Sequence, residues 1–519
     1  MLKKLPIGMS TLKEIRNNNY LYIDKTEEAY NLIEGSGKYF FLSRPRRFGK
    51  SLFVDTLKNI FEGKKELFED LYIYDKYDWE KSYPVINISF ASGTIFSREQ
   101  LGERLVDILE ENAERLGITC KKVEDAASCF KEFIRTLYKK YQTHVVVLID
   151  EYDKPILDNI DNIDNLEVAS SIQEGLKDFY SVIKGSDEFL KFAFLTGVSK
   201  FSKVSLFSGL NNLEDITLDR RYATITGYTH EDIKTSFKDH LVDVDLEELK
   251  RWYNGYNFLG VGVYNPFDIL LFISKGHVFK NYWFETGTPT FLIKLLKEKN
   301  YFIPNLEALE TSESSLSSFE IENIALEVIL FQTGYLTIKR VKKMGVREKY
   351  ELSFPNIEVR YSFAEQILNY LVPHDLTTIS HQQNYLYEAF ESLDLNKLES
   401  QIKSIFAAIP YNNFSGSKLY EYEGYYASVL YSYFASLGVD IIAEDVTNRG
   451  RIDMTILLNN YAYVFEFKVV ESNPEGSALT QIKERKYYEK YQDKYETTIL
   501  GIEFSKKERN IVLFESESV

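Results

Sequence analysis

The run Val145-Val146-Val147-Leu148-Ile149, closed by Asp150-Glu151, constrains this chain more than any other stretch. Its apolar residues leave no polar face, and most are β-branched. That suits a strand of a parallel sheet covered on both sides by helices. Tyr39 to Leu42, Val85 to Phe90 and Leu190 to Leu195 read as companion strands. Helical periodicity lies between them, over 51–61, 100–116 and 170–183, with Leu101, Leu105, Ile108 and Leu109 sharing one side of the second. Strands alternating with helices imply an α/β sheet with right-handed crossovers.

The turn after the first strand reads Arg44-Pro45-Arg46-Arg47-Phe48-Gly49-Lys50-Ser51. A full phosphate-binding P-loop is G-x-x-x-x-G-K-[ST], so only the first glycine is replaced, by Arg44. Gly49 lets the backbone approach a phosphate. The N–H groups of Arg46, Arg47, Phe48 and Gly49 and the positive end of the following helix favour an anion there. Lys50 is placed to reach β- and γ-phosphates, and Ser51 to ligate Mg²⁺. At the carboxyl end of the Val145–Ile149 strand, where ligands of parallel sheets sit, Asp150 is a candidate Mg²⁺ partner and Glu151 a candidate for polarising an attacking water. Thr196, Ser199 and Lys200 follow another strand and are candidate γ-phosphate sensors. That set reads equally well as an ordinary loop. Arg220 and Arg221 are candidate arginine fingers, although adjacent arginines are common at a surface.

From about Thr229 the pattern turns helical, opening on Thr229-His230-Glu231-Asp232 with acids in the first turn. A helix over 326–331 is followed by strands at 335–338 and 350–354. The turn between them carries Lys339, Arg340, Lys342, Lys343, Arg347 and Lys349. Helices then a hairpin resemble a winged-helix unit, although such a tip is also a plain solvated turn.

A second α/β unit follows helices over 386–437, which break near 410–417. Its strands fall at 440–443, 452–457, 463–469 and 498–504, with a helix over 479–491. Within Tyr463 to Val470, Glu466 and Lys468 point one way and Phe465, Phe467 and Val469 the other. A carboxylate and an ammonium inside an apolar strand are costly unless they have each other, a metal or a ligand. Gly450-Arg451-Ile452-Asp453 leads into the neighbouring strand. Asp453 and Glu466 are therefore a candidate pair of ligands for one Mg²⁺ or Mn²⁺, an ion that prefers carboxylates and keeps several waters. Lys468 is the cation that places water or steadies charge on a phosphate. Glu423 is a candidate outer acid, and Gln481 a candidate contact to backbone or substrate.

Net charge is −16, which opposes bulk attraction to nucleic acid, so such a partner requires a local basic patch. Cys120 and Cys129 are the only cysteines and imply neither a disulfide framework nor a zinc site, which fits a reducing compartment. No signal-peptide pattern and no bilayer-spanning apolar run is present, so the expectation is a cytoplasmic protein without a membrane partner.

Taken together, the chain resembles proteins with an AAA-ATPase-like N-terminal domain and a C-terminal domain of the PD-(D/E)XK nuclease superfamily. The stretches that carry the resemblance are Leu5-Pro6-Ile7-Gly8, Tyr22-Ile23-Asp24-Lys25-Thr26, the arginine-rich loop ending Gly49-Lys50-Ser51, and Leu148-Ile149-Asp150-Glu151-Tyr152-Asp153. Later come Phe331-Gln332-Thr333-Gly334-Tyr335-Leu336, Phe354-Pro355-Asn356 with Glu358-Val359, and Gly450-Arg451-Ile452-Asp453 with Glu466-Phe467-Lys468. The resemblance implies ATPase roles for Lys50, Ser51, Asp150 and Glu151. It implies nuclease roles for Asp453, Glu466 and Lys468, with Glu423 and Gln481 beside them. Three segments are expected: a P-loop domain over 1–228, a helical and winged-helix-like region over 229–385, and a restriction-endonuclease-like α/β domain over 386–519. The expected protein binds ATP and Mg²⁺ or Mn²⁺ and cleaves nucleic acid, DNA first, under control of the ATPase domain, with self-association left open. The alternative is a nucleotide-operated switch or binding protein whose nuclease-like domain is silent.

Overall fold

A computed structural model describes residues 2–119, 125–160, 166–200, 206–207, 210, 212–283, 292, 296, 301–316, 325–345, 347–372, 376–409, 423–447 and 449–519. Cys120 and the helix break expected near 410–417 lie outside the described residues. The chain divides into two compact units, Met1–Trp283 with Thr311–Tyr350, and Phe284–Glu310 with Glu351–Val519. The sequence-based boundaries after 228 and 385 fall inside these units.

The first unit is built on five strands: β1 (Tyr39–Ser43), β2 (Val85–Ser89), β3 (Val145–Asp150), β4 (Leu190–Gly197) and β5 (Glu214–Asp215). They lie in the order β2-β3-β4-β1-β5, all pairs parallel. Every residue of β1 and β3 is buried, as strands covered on both faces must be. The helix Lys50–Phe61 buries Phe53, Leu57, Ile60 and Phe61 in one cluster with Leu148 of β3 and Phe194 of β4. That spacing is the apolar stripe of a helix lying on a sheet. The helices Arg98–Arg115, Ala126–Tyr141 and Leu166–Gly185 pack on one another, with Phe130 stacked on Phe179 at 4.6 Å. Cys129, buried on the second of these, is disulfide-bonded. A single bridge is not the framework that the sequence excluded, but it removes the support the cysteines lent to a reducing compartment.

The helix expected at Thr229 begins there. The Thr229 hydroxyl accepts the Asp232 N–H at 3.0 Å, and the Asp232 carboxylate accepts the Thr229 N–H at 2.8 Å. Further on, the helix Leu326–Thr333 ends at Gly334, whose φ of 91° closes it in the left-handed region. Two neighbouring strands follow, β6 (Thr337–Met344) and β7 (Arg347–Ser353). The strands run further than the sequence suggests, so the basic residues lie along the ladder rather than in a wide turn.

In the second unit, helices Ile357–Leu371, Leu376–Glu391, Leu395–Ala408 and Glu423–Ala435 accompany five strands. These are β8 (Asp440–Val446), β9 (Arg451–Leu458), β10 (Tyr461–Val470), β11 (Glu496–Ser505) and β12 (Asn510–Ser518), which follow one another across the sheet. Only the β10–β11 pair is parallel, joined through the helix Ser477–Arg485, so the sheet is mixed. β12 was not anticipated from sequence. Val464 and Ile499 pack with Leu479 and Ile482 of the connecting helix. Phe465 meets Phe434 of the helix Glu423–Ala435 at 5.5 Å. The central strand β10 is thus apolar on both sides, and a charged side chain there needs a specific reason. Among the described residues no helix is long and apolar enough to cross a membrane.

Candidate functional site

Asp453 on β9 and Glu466 on β10 occupy the place where the ladder between these strands gives way. Pairing runs from Leu458 opposite Tyr461 to Met454 opposite Phe465. Beyond that, the Phe467 N–H donates to Asp453 Oδ2 at 2.7 Å. A side-chain carboxylate has replaced a main-chain acceptor, which fixes Asp453 against β10 beside Glu466.

Glu466 is 1% exposed. Its Oε1 accepts from Lys468 Nζ at 3.3 Å and from Gln481 Nε2. Its Oε2 is buried with no hydrogen-bond partner. Buried carboxylate oxygens are rarely left so, and an orphan of this kind points to something absent, such as an ion. Lys468 also reaches Glu423 at 3.7 Å, at the start of the helix Glu423–Ala435. The structure thus gathers all five sequence candidates of this unit: Asp453, Glu466, Lys468, Glu423 and Gln481.

Burial raises the proton affinity of both Asp453 and Glu466, and each carboxylate is raised further by acids around it. Burial also raises Glu423, while Lys468 beside it works the other way. Burial alone would lower Lys468, but Glu423, Glu466 and Asp453 outweigh it and hold the ammonium above its ordinary value. The arrangement is therefore an over-acidic pocket with one firmly protonated lysine. Among the described residues no group of three or more His, Cys, Asp and Glu side chains forms a complete cage. Mg²⁺ does not need one, since it is commonly held by one or two carboxylates plus waters.

Two residues that sequence reasoning passed over build the wall of this pocket. Gly501 on β11 pairs with Glu466, and a Cβ added to it would lie 2.3 Å from the Leu479 nitrogen. Only glycine lets the helix Ser477–Arg485 settle this close and deliver Gln481. Glu503, fully buried on β11, accepts the Glu475 and Ser477 N–H groups at 2.6 Å each and the Ser477 hydroxyl at 2.9 Å. Burial pushes its proton affinity up, but these donors pull it below the ordinary value. It holds the start of the same helix. The available signal was an acid inside the apolar run of β11, the same sign that marked Glu466.

In the first unit, Gly49 caps the helix Lys50–Phe61 with φ 87°, and the space a Cβ would take is open. Arg44, in place of the usual first glycine, is an internal strut. It is fully buried, donates to Ser43 O, Thr217 O and Tyr222 O at 2.8–3.1 Å, and lies 3.8 Å from the centre of the Phe258 ring. Burial lowers its proton affinity to about 9. The Arg47 guanidinium sits 3.8 Å from the Phe267 ring centre, and Phe48 packs edge-on against Tyr256. Both anchor the loop from below, while Arg46 is exposed. Lys50 Nζ donates to Arg44 O at 3.0 Å and Pro45 O at 2.8 Å, inside its own loop. Burial lowers its proton affinity, with Asp150, Asp153 and Glu151 acting in the other sense. Ser51 is half-buried in the first turn. Asp150 ends β3 and accepts the Glu151 N–H at 3.0 Å. Glu151, at φ 53°, is raised by burial and by Asp150.

The remaining candidates are occupied elsewhere. Thr196 donates to Leu42 O at 2.8 Å, Ser199 donates to Asp153, and Lys200 pairs with Asp215. They brace the loop after β4 and present no free group to a ligand. Arg221 is held by Asp219 and Glu214 at the surface, and Arg220 is exposed. Asp153 was not given a role from sequence. It is 1% exposed and accepts from Val198 N at 3.0 Å and from Ser199 N and Oγ at 2.5 Å each. Gln332 Oε1 accepts the Lys200 N–H at 2.9 Å, and a Cβ on Gly334 would be 2.9 Å from Pro45. Gly334 thus packs against the Arg44–Gly49 loop, and Gln332 against the loop after β4.

Parallel sheet, glycine-capped loop and carboxylate–lysine pocket define a protein that joins an ATPase-like module to a nuclease-like one. Residues 6–207 match the family described as "Predicted AAA-ATPase", and residues 421–514 match the PD-(D/E)XK nuclease superfamily. The chain is 47% identical over 519 residues to an uncharacterized protein in the vnfD 5′ region of Azotobacter chroococcum mcd 1, covering 100% of this chain and 99% of that one. The chain belongs to that protein's family, with an AAA-ATPase domain followed by a PD-(D/E)XK nuclease-superfamily domain. Among solved structures, the Aeropyrum pernix ORC1 protein in complex with DNA aligns with 68% of this chain and 96% of its own, at 9% identity and a TM-score of 0.25. A likeness that slight carries no argument.

Proposed function

We propose that this protein is a divalent-metal-dependent nuclease acting on DNA, governed by ATP bound to its N-terminal module. The observation that carries this reading is Glu466, buried beside Asp453 and Lys468 with one carboxylate oxygen left without a partner. Asp453 and Glu466 would hold the ion, which when bound supplies Lewis acidity and an activated water. Lys468, held between Glu423 and Glu466, would act through its charge. It steadies charge on the phosphate as the water oxygen bonds to phosphorus and the bridging P–O bond breaks. Glu423 holds that ammonium in place, and Gln481 fixes the orientation of Glu466.

At the other site, Lys50, bonded here to Arg44 O and Pro45 O, would reach the β- and γ-phosphates. Ser51 and Asp150 would hold Mg²⁺, the loop from Arg46 to Gly49 would supply backbone N–H groups, and Glu151 would orient a water. We keep the division into 1–228, 229–385 and 386–519 as a description of these parts along the sequence. The alternative of a silent nuclease-like domain is disfavoured by the intact five-residue pocket.

The test is cleavage of linear and circular duplex DNA, single-stranded DNA and RNA by the full chain. It is run with Mg²⁺ or Mn²⁺, with and without ATP, beside Asp453→Asn and Lys468→Ala. Cleavage by the wild type alone, altered by ATP, is expected. Equal cleavage by all three proteins would reject the site.

A further inference from the structure

Between residues 339 and 349 the hairpin of β6 and β7 carries six cations, Lys339, Arg340, Lys342, Lys343, Arg347 and Lys349, and one acid, Glu348, in a chain of net charge −16. Lys339, Arg340, Lys343 and Arg347 are exposed. Lys339, Arg340 and Arg347 have no ion-pair partner among the described residues. Arg449, Arg451, Lys483 and Lys490 of the nuclease-like unit are paired with Glu489, Glu444, Glu517 and Asp445, while exposed Arg485, Lys494 and Lys507 are not in an ion pair among the described residues. What sets the hairpin apart is therefore its density of charge, six cations against one acid within eleven residues of an acidic chain.

Alternation along β6 puts Lys339 and Lys343 on one face and Arg340 and Lys342 on the other. The hairpin is the outer part of a three-stranded sheet, completed by Leu309–Ser312 beside β7, and a β-ribbon with cations on both faces matches the major groove of B-form DNA. That groove is about 12 Å wide, admits a β-ribbon, and has phosphates along both walls. A membrane surface would call for cations on one side only, and the major groove of duplex RNA is too narrow and deep for side chains to read. The root of the hairpin is firm: Thr337, Ile338 and Tyr350 are buried, and Thr337 Oγ1 accepts the Asn257 N–H at 2.7 Å.

We propose that the β6–β7 hairpin enters the groove of duplex DNA and grips its backbone through Lys339, Arg340 and Arg347. The choice of DNA over other polyanions rests on the nuclease reading; the grip itself does not.

The experiment is equilibrium binding of the full chain, in EDTA to prevent cleavage, to fluorescent duplex DNA, duplex RNA and phosphatidylserine vesicles across a salt series. The combined variant Lys339→Gln, Arg340→Gln, Arg347→Gln should bind duplex DNA about tenfold or more weakly, and its log–log salt slope should fall by roughly 3. A charge-keeping variant, Lys339→Arg, Arg340→Lys, Arg347→Lys, should stay near wild type. So should Lys13→Gln, Lys131→Gln, Lys191→Gln, which removes the same charge from exposed positions elsewhere. Unchanged DNA affinity and salt slope in the hairpin variant would overturn the proposal, as would hairpin-dependent binding to vesicles or RNA without DNA binding. Hairpin-dependent DNA binding by a protein that never cleaves would support the grip and remove the nuclease reading alone.

Discussion

Gly501 lies so close to Leu479 that one added methyl group would sit 2.3 Å from the Leu479 nitrogen. Since Gly501 is the partner of Glu466 in the β10–β11 ladder, this contact sets how near the helix Ser477–Arg485 comes to the pocket. Gly501→Ala is expected to push the helix outward, costing about 1–3 kcal/mol of stability as overpacking does. It should also part Gln481 from Glu466 and lower cleavage. Urea unfolding and cleavage rates on the same preparation check both. A variant as stable and active as the wild type would remove this account of the wall.

Lys468 stands between two acids and should be sensitive to shape as well as charge. Lys468→Ala is expected to reduce cleavage by about 10²–10³-fold, the usual scale for losing one charge-stabilising group. Lys468→Arg should restore only part of that, because a planar fork does not replace a compact ammonium. Single-turnover cleavage rates distinguish the cases, and full activity in the arginine variant would show that position matters less than charge.

The raised proton affinity of Asp453 and Glu466 gives a pH signature. Without an ion, the folded protein holds protons here more tightly than the unfolded chain. That contribution to stability is complete below the ordinary carboxylate value of about 4 and is lost as pH rises through the raised folded values. An ion displaces those protons, so the gain in Tm on adding Mg²⁺ or Mn²⁺ should grow with pH. Thermal melts at acid and alkaline pH, with and without ion, measure it. The growth should vanish in Asp453→Asn with Glu466→Gln, and an increment independent of pH in the wild type would count against ion binding at this pair.

At the other site, Lys50→Ala is expected to weaken ATP binding by about 10–100-fold, the worth of a charge-assisted hydrogen bond. Gly334→Val should weaken it too without touching the nucleotide, since φ 91° and the 2.9 Å approach to Pro45 admit no side chain. Titration with a fluorescent ATP analogue reads both variants. Normal affinity in Gly334→Val would show that the loop does not depend on this buttress.

Charges set inside apolar strands were the most legible feature of the sequence. Glu466 and Lys468 could be read because alternation places both on one side of β10, and Asp453 because it opens the neighbouring strand. Gly501 and Glu503 could not be assigned, because their roles come from the parallel pairing of β10 with β11 and from a helix contacting it. The same holds for Gly334, which meets the Arg44–Gly49 loop, and Gln332, which meets the loop after β4, both from a distant stretch of chain. β12 escaped notice because its closing residues, Glu515 to Ser518, carry the polar composition of an exposed edge. Of the sensor candidates, Thr196 lies within β4 and Ser199 and Lys200 just after it, and their side chains are committed to Leu42, Asp153 and Asp215.

The bond from the Phe467 amide to Asp453 makes that one hydrogen a gauge of the pocket. Any cation that draws the carboxylate toward itself must loosen or share this bond. Loading would then show as a shift of a single main-chain resonance and as faster solvent exchange at that position. Occupancy could be followed by NMR on the intact chain before any substrate is known.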